Sequence, residues 1–342
     1  MSSMTPTLPV PGRRCLAMAL PLLACGLWVP TVRAASDVHR ASHPLMGTRV
    51  DLTLQGPDPA QLAQAADAAL AEMSRLAAAM SRFQPTSELN AINLMAGLQP
   101  VPVSPELMAV LAMAQHAHQA SGGAFDATVG SLGDWRSGAN PSHRPTAARV
   151  QAQLKLVGQA NALVLDAARG TAYLRTRGTR LDLGGIAKLP ILQAGMAQLQ
   201  RRGVRNAMLN GGGDVLVSGH LQGRPWRVGV RDPRQPDRLL GTVHLSQGWV
   251  AASGDYERFV MHQGQRLHHI LDPRNGQPSR GTHGVVLLST DLAAVNGMGT
   301  ATMVSGVLAA KALVARTPGL EALVASADGS LWASGGMARQ LA

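Results

Sequence analysis

Hydrophobic residues recur along this chain in two rhythms. Between residues 58 and 123 the rhythm is helical. Leu62, Ala66, Ala69, Met73, Leu76 and Met80 return every three or four residues, which places them on one helix face. Asp58-Pro59 supplies a cap and a first-turn proline ahead of them. Ser104-Pro105-Glu106 opens a second helix through Met108, Leu111 and His116, and Gly122-Gly123 stop it. Before both, Val50-Asp51-Leu52-Thr53-Leu54 alternates and predicts a strand.

Beyond residue 160 short strand-like runs take over. They cover Ala162–Leu165, Thr171–Leu174, Ala207–Leu209, Val215–Ser218, Trp226–Val230, Thr242–Leu245, Phe259–His262, His268–Leu271 and Val285–Ser289. A helix from Lys188 to about Arg202, stopped by Gly203, interrupts them, and another runs from Leu292 to about Ala315. Residues 136–145, rich in Ser, Gly, Asn and Pro, predict a loop. Strands and helices do not alternate strictly, so the pattern favours α+β over a doubly wound parallel sheet. No fixed-period repeat or low-complexity segment is visible.

The 342 residues suffice for one large domain or two modest ones. With 46% hydrophobic and 15% charged residues the chain is globular rather than disordered. Aromatics make up only 3%, so Leu, Val, Met and Ala must build the core. The formal net charge is +11. A basic surface favours phosphate-bearing ligands or anionic lipid. Nucleic acid is not an expected partner, because no long Lys/Arg run is present and aromatic platforms for bases are few.

The N-terminus reads as a targeting segment. Arg13-Arg14 precede an apolar stretch from Cys15 to Val29, and small residues follow at Ala34-Ala35, the pattern of a signal peptide over residues 1–34 ahead of one domain, 35–342. Leu22-Leu23-Ala24-Cys25 also forms a lipoprotein box, which would leave a lipid on Cys25; the arginine pair suits the twin-arginine route as well as the general one. Both cysteines lie in this segment. Cleavage near Ala34 would therefore leave a chain without disulfides, thiolate chemistry or Cys-bound metal.

Several polar turns carry candidate chemistry. In Leu181-Asp182-Leu183-Gly184-Gly185-Ile186-Ala187-Lys188 a strand ends, two glycines turn the chain, and a helix begins with lysine. Such a turn suits an anion, although a plain Gly-rich turn with a solvated lysine has the same sequence. Asn210-Gly211-Gly212-Gly213-Asp214 is a second glycine turn, and Ala251–Arg258 adds a polar cluster after a strand. His268-His269-Ile270-Leu271-Asp272-Pro273-Arg274-Asn275-Gly276 sets two histidines on a strand that enters a turn. Adjacent strand residues face opposite ways, so only one of them can reach a given site, as a general base or as a structural residue.

Taken in order, Met46-Gly47-Thr48, Ser81–Asn93, Gly123–Thr128, Leu181–Lys188, Asn210–Asp214, Ser253–Arg258 and His269–Gly276 resemble the successive signature segments of ApbE-type FAD:protein FMN transferases. The resemblance covers residues 44–310. It implies an ApbE-like, T-fold-like α+β architecture with FAD held in a cleft between two α+β subdomains. It also implies Mg²⁺ as cofactor and FAD as substrate. A Thr or Ser hydroxyl of an exported acceptor protein would take the FMN moiety and AMP would leave.

By position, Met46, Phe83, Ala124, Phe125 and Asp126 look like isoalloxazine and ribityl contacts. Asp182 and Lys188 look like further FAD contacts, with Lys188 at a phosphate and in the catalytic set, and Ile270 lines the flavin pocket. His269 resembles the base that takes the acceptor's proton. Gly185, through its carbonyl, Asn296 and Thr300 resemble the metal ligands. The chain departs from the family pattern where Asn296 replaces a usual aspartate, which lowers the charge offered to a metal. Leu189, Pro190, Gln193 and Asn275 also differ from it. The alternatives are a flavin carrier or regulator without transfer, or an FAD pyrophosphatase giving FMN and AMP. The implied location is the periplasm, free or lipid-anchored to the inner membrane.

Overall fold

Eight strands pair side by side in the order in which they occur: Asp37–Leu45, Thr48–Gly56, Asn206–Gly211, Asp214–Ser218, Gln247–Gly254, Thr282–Ser289, Glu321–Ser326 and Leu331–Ala333. Every neighbouring pair is antiparallel. The computed structural model describes residues 37–133, 135, 145–158, 162–256, 259–262 and 265–341. The expected signal peptide with Cys15 and Cys25, residues 136–144 of the expected loop, and Glu257-Arg258 lie outside the described residues.

An antiparallel meander returns to the same end of its sheet at every second turn. The Met46-Gly47 turn, the Gly212-Gly213 turn, the end of Gln247–Gly254 and the start of Thr282–Ser289 therefore share one end. The packing there is close: a Cβ on Gly212 (φ +68°) would overlap the Thr48 side chain.

Both faces of the sheet are covered, and strict alternation decides which residue faces which cover. Leu52, Leu209, Leu216, Trp249, Ala251, Val285 and Leu287 face the helical side. The helices Pro59–Ala79, Pro105–Ala120, Lys188–Arg201 and Met298–Arg316 bury Leu62, Met73, Leu111, Leu192 and Met303 against it. Val215, Val217, Val250, Val286, Leu288 and Leu323 face the other way, onto the Trp226–Leu245 ribbon and Met337 of the C-terminal helix. Val285–Leu288 is apolar without a break because each side has its own core.

The helix at Pro59–Ala79 starts as the sequence indicates, with the Asp58 carboxylate accepting from the Ala60 and Gln61 amides. Ser104 does the same for Pro105–Ala120. Two expectations need correction. The helix expected from Leu292 to Ala315 is broken twice: Leu292–Val295 stands apart from Met298–Arg316, and Met298–Arg316 itself kinks at Gly306 (φ +79°, ψ −172°). Extended Asn296 and left-handed Gly297 (φ +76°) make the first break, because neither backbone conformation continues a right-handed helix. The strand expected over His268–Leu271 is likewise interrupted: Gln265–His268 ends a ribbon, and Leu271–Asp272 starts another after a break at His269-Ile270. A short helix, Glu88–Leu94, starts within the Ser81–Asn93 segment, capped by Ser87.

Candidate functional site

The site is assembled from turns. In Leu181–Lys188, Leu181 and Leu183 are buried and anchor the segment. Asn93 imitates a neighbouring strand: its side chain accepts from the Leu181 amide at 2.7 Å and donates to the Leu181 carbonyl at 3.2 Å. The Asp182 amide donates to the Ala127 carbonyl at 2.7 Å, which ties this segment to Gly123–Thr128. The Asp182 carboxylate turns back to accept from the Gly184 amide at 2.8 Å, and its second oxygen pairs with Arg82 at 3.1 Å. Arg82 also lies over the Phe83 ring, 4.8 Å from its centre, and that ring is 80% exposed.

Glycine at 185 permits a three-way closure. A Cβ there would stand 3.0 Å from Thr300 Oγ1 and 3.3 Å from the Phe125 ring. The same ring lies 3.4 Å from where a Gly297 Cβ would be, and a Gly299 Cβ would stand 2.7 Å from Ser253 Oγ. Phe125 thus separates the Gly184-Gly185 turn from the Asn296-Gly297 turn. Asn296 is buried; its amide approaches the Met113 sulfur at 3.6 Å, while its Oδ1 has no hydrogen-bond partner. A buried carbonyl-type oxygen left unsatisfied is costly unless something meets it.

Lys188 opens the helix Lys188–Arg201, and its Nζ pairs with Asp214 at 2.8 Å. Asp214 follows the second glycine turn, and its other oxygen accepts from the Ala252 amide at 3.0 Å. One salt bridge therefore joins three segments at the same end of the sheet. Met46, itself left-handed (φ +55°), packs beside the core at that end.

The two histidines do face different environments. His268 is buried; its Nδ1 accepts from the Ile270 amide, so Nε2 carries the proton donated to the Ser279 carbonyl at 2.8 Å. That ring is structural. His269 is exposed, and Ile270 returns to the core. Arg274 grips Asp272 through two bonds of 2.7 and 2.8 Å and reaches toward the Val304 carbonyl at 3.4 Å, docking this hairpin on the Met298–Arg316 helix. Burial pushes the Asp272 carboxyl up, but the bonds from Arg274 prevail and hold it below the usual carboxylate range.

The structure gathers Phe125, Gly185, Asn296-Gly297 and Thr300 into one contact network and sets Lys188 nearby on Asp214. Ala124 and Asp126 are buried in the Gly123–Thr128 turn, while Phe83 and His269 stand at the surface. Sequence reasoning missed the pairing of Lys188 with Asp214, the clamp from Asn93, and His118, whose Nδ1 lies 3.0 Å from the Phe125 carbonyl and 3.3 Å from Asp126 Oδ2. A cation in the last turn of a helix before Gly122-Gly123 is the one signal that pointed to His118. Among the described residues no group of three or more His, Cys, Asp or Glu side chains is placed to hold a metal.

Comparison with known proteins bears on the fold and the family. The crystal structure of the ApbE protein from Thermotoga maritima MSB8 superposes with a TM-score of 0.81 at 28% identity, covering 90% of this chain and 100% of that one. The flavin transferase ApbE from Vibrio cholerae gives 0.76 at 26% identity, with 90% and 100% covered. Proteins named FAD:protein FMN transferase are similar in sequence. One from Klebsiella pneumoniae (strain 342) is 34% identical over 60% of this chain and 64% of its own length. One from Rhodobacter capsulatus is 33% identical over 85% of this chain and 56% of its own length. The chain thus spans less than two thirds of either of these relatives. The fold is that of the ApbE crystal structures. The ApbE family's sequence model matches residues 46–324, and the chain belongs to that family.

Proposed function

We propose that this chain is an FAD:protein FMN transferase that moves the FMN moiety of FAD onto a Thr or Ser hydroxyl of an exported acceptor protein and releases AMP. The observation that carries this reading is the gathering of Phe125, Gly185, Gly297 and Thr300 in one network, with Lys188 at the same sheet end, inside the family match. The ordered names of the relatives support the same activity.

The donor set fits Mg²⁺. The partnerless Asn296 Oδ1, Thr300 Oγ1 and the Gly185 carbonyl are hard oxygens, and Mg²⁺ commonly takes few protein ligands together with substrate phosphates. Bound there, the ion would offset charge on the pyrophosphate. Lys188 adds a fixed positive charge and is oriented by Asp214. Met46, Phe83, Ala124, Phe125, Asp126, Asp182 and Ile270 hold the flavin and its ribityl chain. His269, which is exposed, takes the acceptor hydroxyl proton on an imidazole nitrogen. The hydroxyl oxygen bonds to the FMN-side phosphorus as the bond to the AMP phosphate oxygen breaks.

Residues 1–34 export the chain to the periplasm, where it is either free or held to the inner membrane through lipid on Cys25. Membrane fractionation of a Cys25→Ser variant separates the two. The activity is tested with purified protein, FAD, Mg²⁺ and candidate acceptors by intact mass. An acceptor heavier by one FMN, with equal AMP, is the expected result. FMN and AMP formed equally without acceptor would instead identify a pyrophosphatase, and FAD binding with no product a carrier.

A further inference from the structure

We propose that His118 is a positioning residue that holds the Phe125 ring between the Gly184-Gly185 and Asn296-Gly297 turns and so sets the shape of the flavin and metal site. The proposal rests on the transferase reading given above.

The geometry is local and continuous. His118 sits in the last turn of the helix Pro105–Ala120, with its side chain 15% exposed. Its Nδ1 faces two acceptors, the Phe125 carbonyl at 3.0 Å and Asp126 Oδ2 at 3.3 Å. The Phe125 carbonyl can only accept, so Nδ1 must be the protonated nitrogen, whether the ring is neutral or charged. The ring lies under the turn, since a Cβ on left-handed Gly123 would be 3.5 Å from His118 Cε1. Ser121 completes the clamp: its hydroxyl accepts from the Phe125 amide at 3.0 Å and donates to the His118 carbonyl at 3.1 Å. Both ends of residue 125 are thereby tied to the helix.

Asp126 shares this donor. It is 5% exposed, and its Oδ1 is occupied by the Thr128 amide at 2.8 Å and the Thr128 hydroxyl. Removing the Nδ1 donor takes a hydrogen bond from the Phe125 carbonyl and a contact from Asp126 Oδ2 together. The phenyl ring, at 3.3 and 3.4 Å from the Cβ positions of Gly185 and Gly297, transmits any shift to both turns.

Two variants and one spectrum test this. His118→Leu keeps apolar bulk and removes the donor. His118→Asn places an amide N–H where Nδ1–H stood. Losing a hydrogen bond to a charged group corresponds to about a tenfold effect. His118→Leu should raise the Kd for FAD, read by flavin fluorescence, by about that factor, with KM for FAD rising more than kcat falls. His118→Asn should bind within about threefold of the parent, a rescue that ring packing alone would not give. ¹⁵N NMR of histidine-labelled parent protein should show His118 Nδ1 protonated, and it decides the matter if the leucine variant does not fold. A folded His118→Leu with unchanged Kd, His118→Asn as weak as His118→Leu, or an unprotonated Nδ1 would each overturn the proposal. Failure of the parent protein to bind FAD would strike the transferase reading instead, while the tautomer remains a separate result.

Discussion

Asn296→Asp exposes the logic of the metal site most directly. Asn296 is 4% exposed, its amide meets only the Met113 thioether at 3.6 Å, and its Oδ1 has no partner. Aspartate there would bury a carboxylate with no cation against it. Leaving a buried charge uncompensated costs about 3 kcal/mol. In a domain of this size that corresponds to a fall in Tm of about 6 °C without metal. Mg²⁺ reverses the sign, because a charged ligand replaces a neutral one and metal affinity follows ligand charge. A tenfold to hundredfold tighter site is worth about 1.4–2.7 kcal/mol. The assay is thermal unfolding of parent and variant in chelator and across a Mg²⁺ series, with calorimetry for the Kd. The parent should show a small Mg²⁺ response and the variant a large one from a lower start. A variant as stable as the parent in chelator, with the same Mg²⁺ response, would refute the idea that this oxygen faces an ion.

Three further outcomes follow from named contacts. Lys188→Met strands the mostly buried Asp214 with only the Ala252 amide, so stability should fall by about 1–2 kcal/mol in urea unfolding. The double variant with Asp214→Asn should recover most of that loss but not FAD affinity. Gly297→Ala combines φ +76° with a Cβ 3.0 Å from that of Ala117, whereas Gly122→Ala (φ +60°) meets nothing within 4 Å. The first should cost about 2 kcal/mol and the second about 1, read as a shift in urea midpoint. For pH, the lowered Asp272 contributes stability above the unfolded carboxyl value that is lost as pH falls through its folded value. Arg274→Gln should therefore flatten the acid limb of a Tm–pH curve. His118 is raised, chiefly by its bond to Asp126; its contribution is full below the ordinary imidazole value and fades as pH rises through the folded one. His118→Asn should remove that fade.

Much of the fold was legible because its rules are local. The Asp58 and Ser104 caps and the 3.6-residue spacing of Leu62 to Met80 located the long helices to within a residue or two. The absence of strict alternation pointed correctly to α+β. What escaped was governed by partners far along the chain. Asp37–Leu45 has little apolar periodicity, because it is an edge strand whose outer side meets solvent. The apolar run from Leu292 continues past Asn296 without a break in composition, and only the conformation of Gly297 ends the first helix. The extension of the Trp226–Leu245 ribbon through Gln235 was hidden by its charged turn residues, which say nothing about pairing.

The site was legible as a set of segments but not as a balance of charge. Each acid in its turns has a base or a polar hydrogen beside it: Asp182 has Arg82, Asp214 has Lys188, Asp126 has His118, Asp255 has His283 at 2.6 Å, and Asp291 caps Leu292–Val295 through the Ala293 amide. Three of these pairs join residues 26 to 100 positions apart, so no local motif announces them. Their consequence is electrostatic. With the carboxylates engaged, Gly185, Asn296 and Thr300 offer an ion oxygen dipoles but no net negative charge. Under the transferase reading that charge must come from the pyrophosphate, so FAD and Mg²⁺ each strengthen the binding of the other. Asn296→Asp supplies the missing charge from the protein, and it should weaken this mutual dependence even where it tightens Mg²⁺ binding itself.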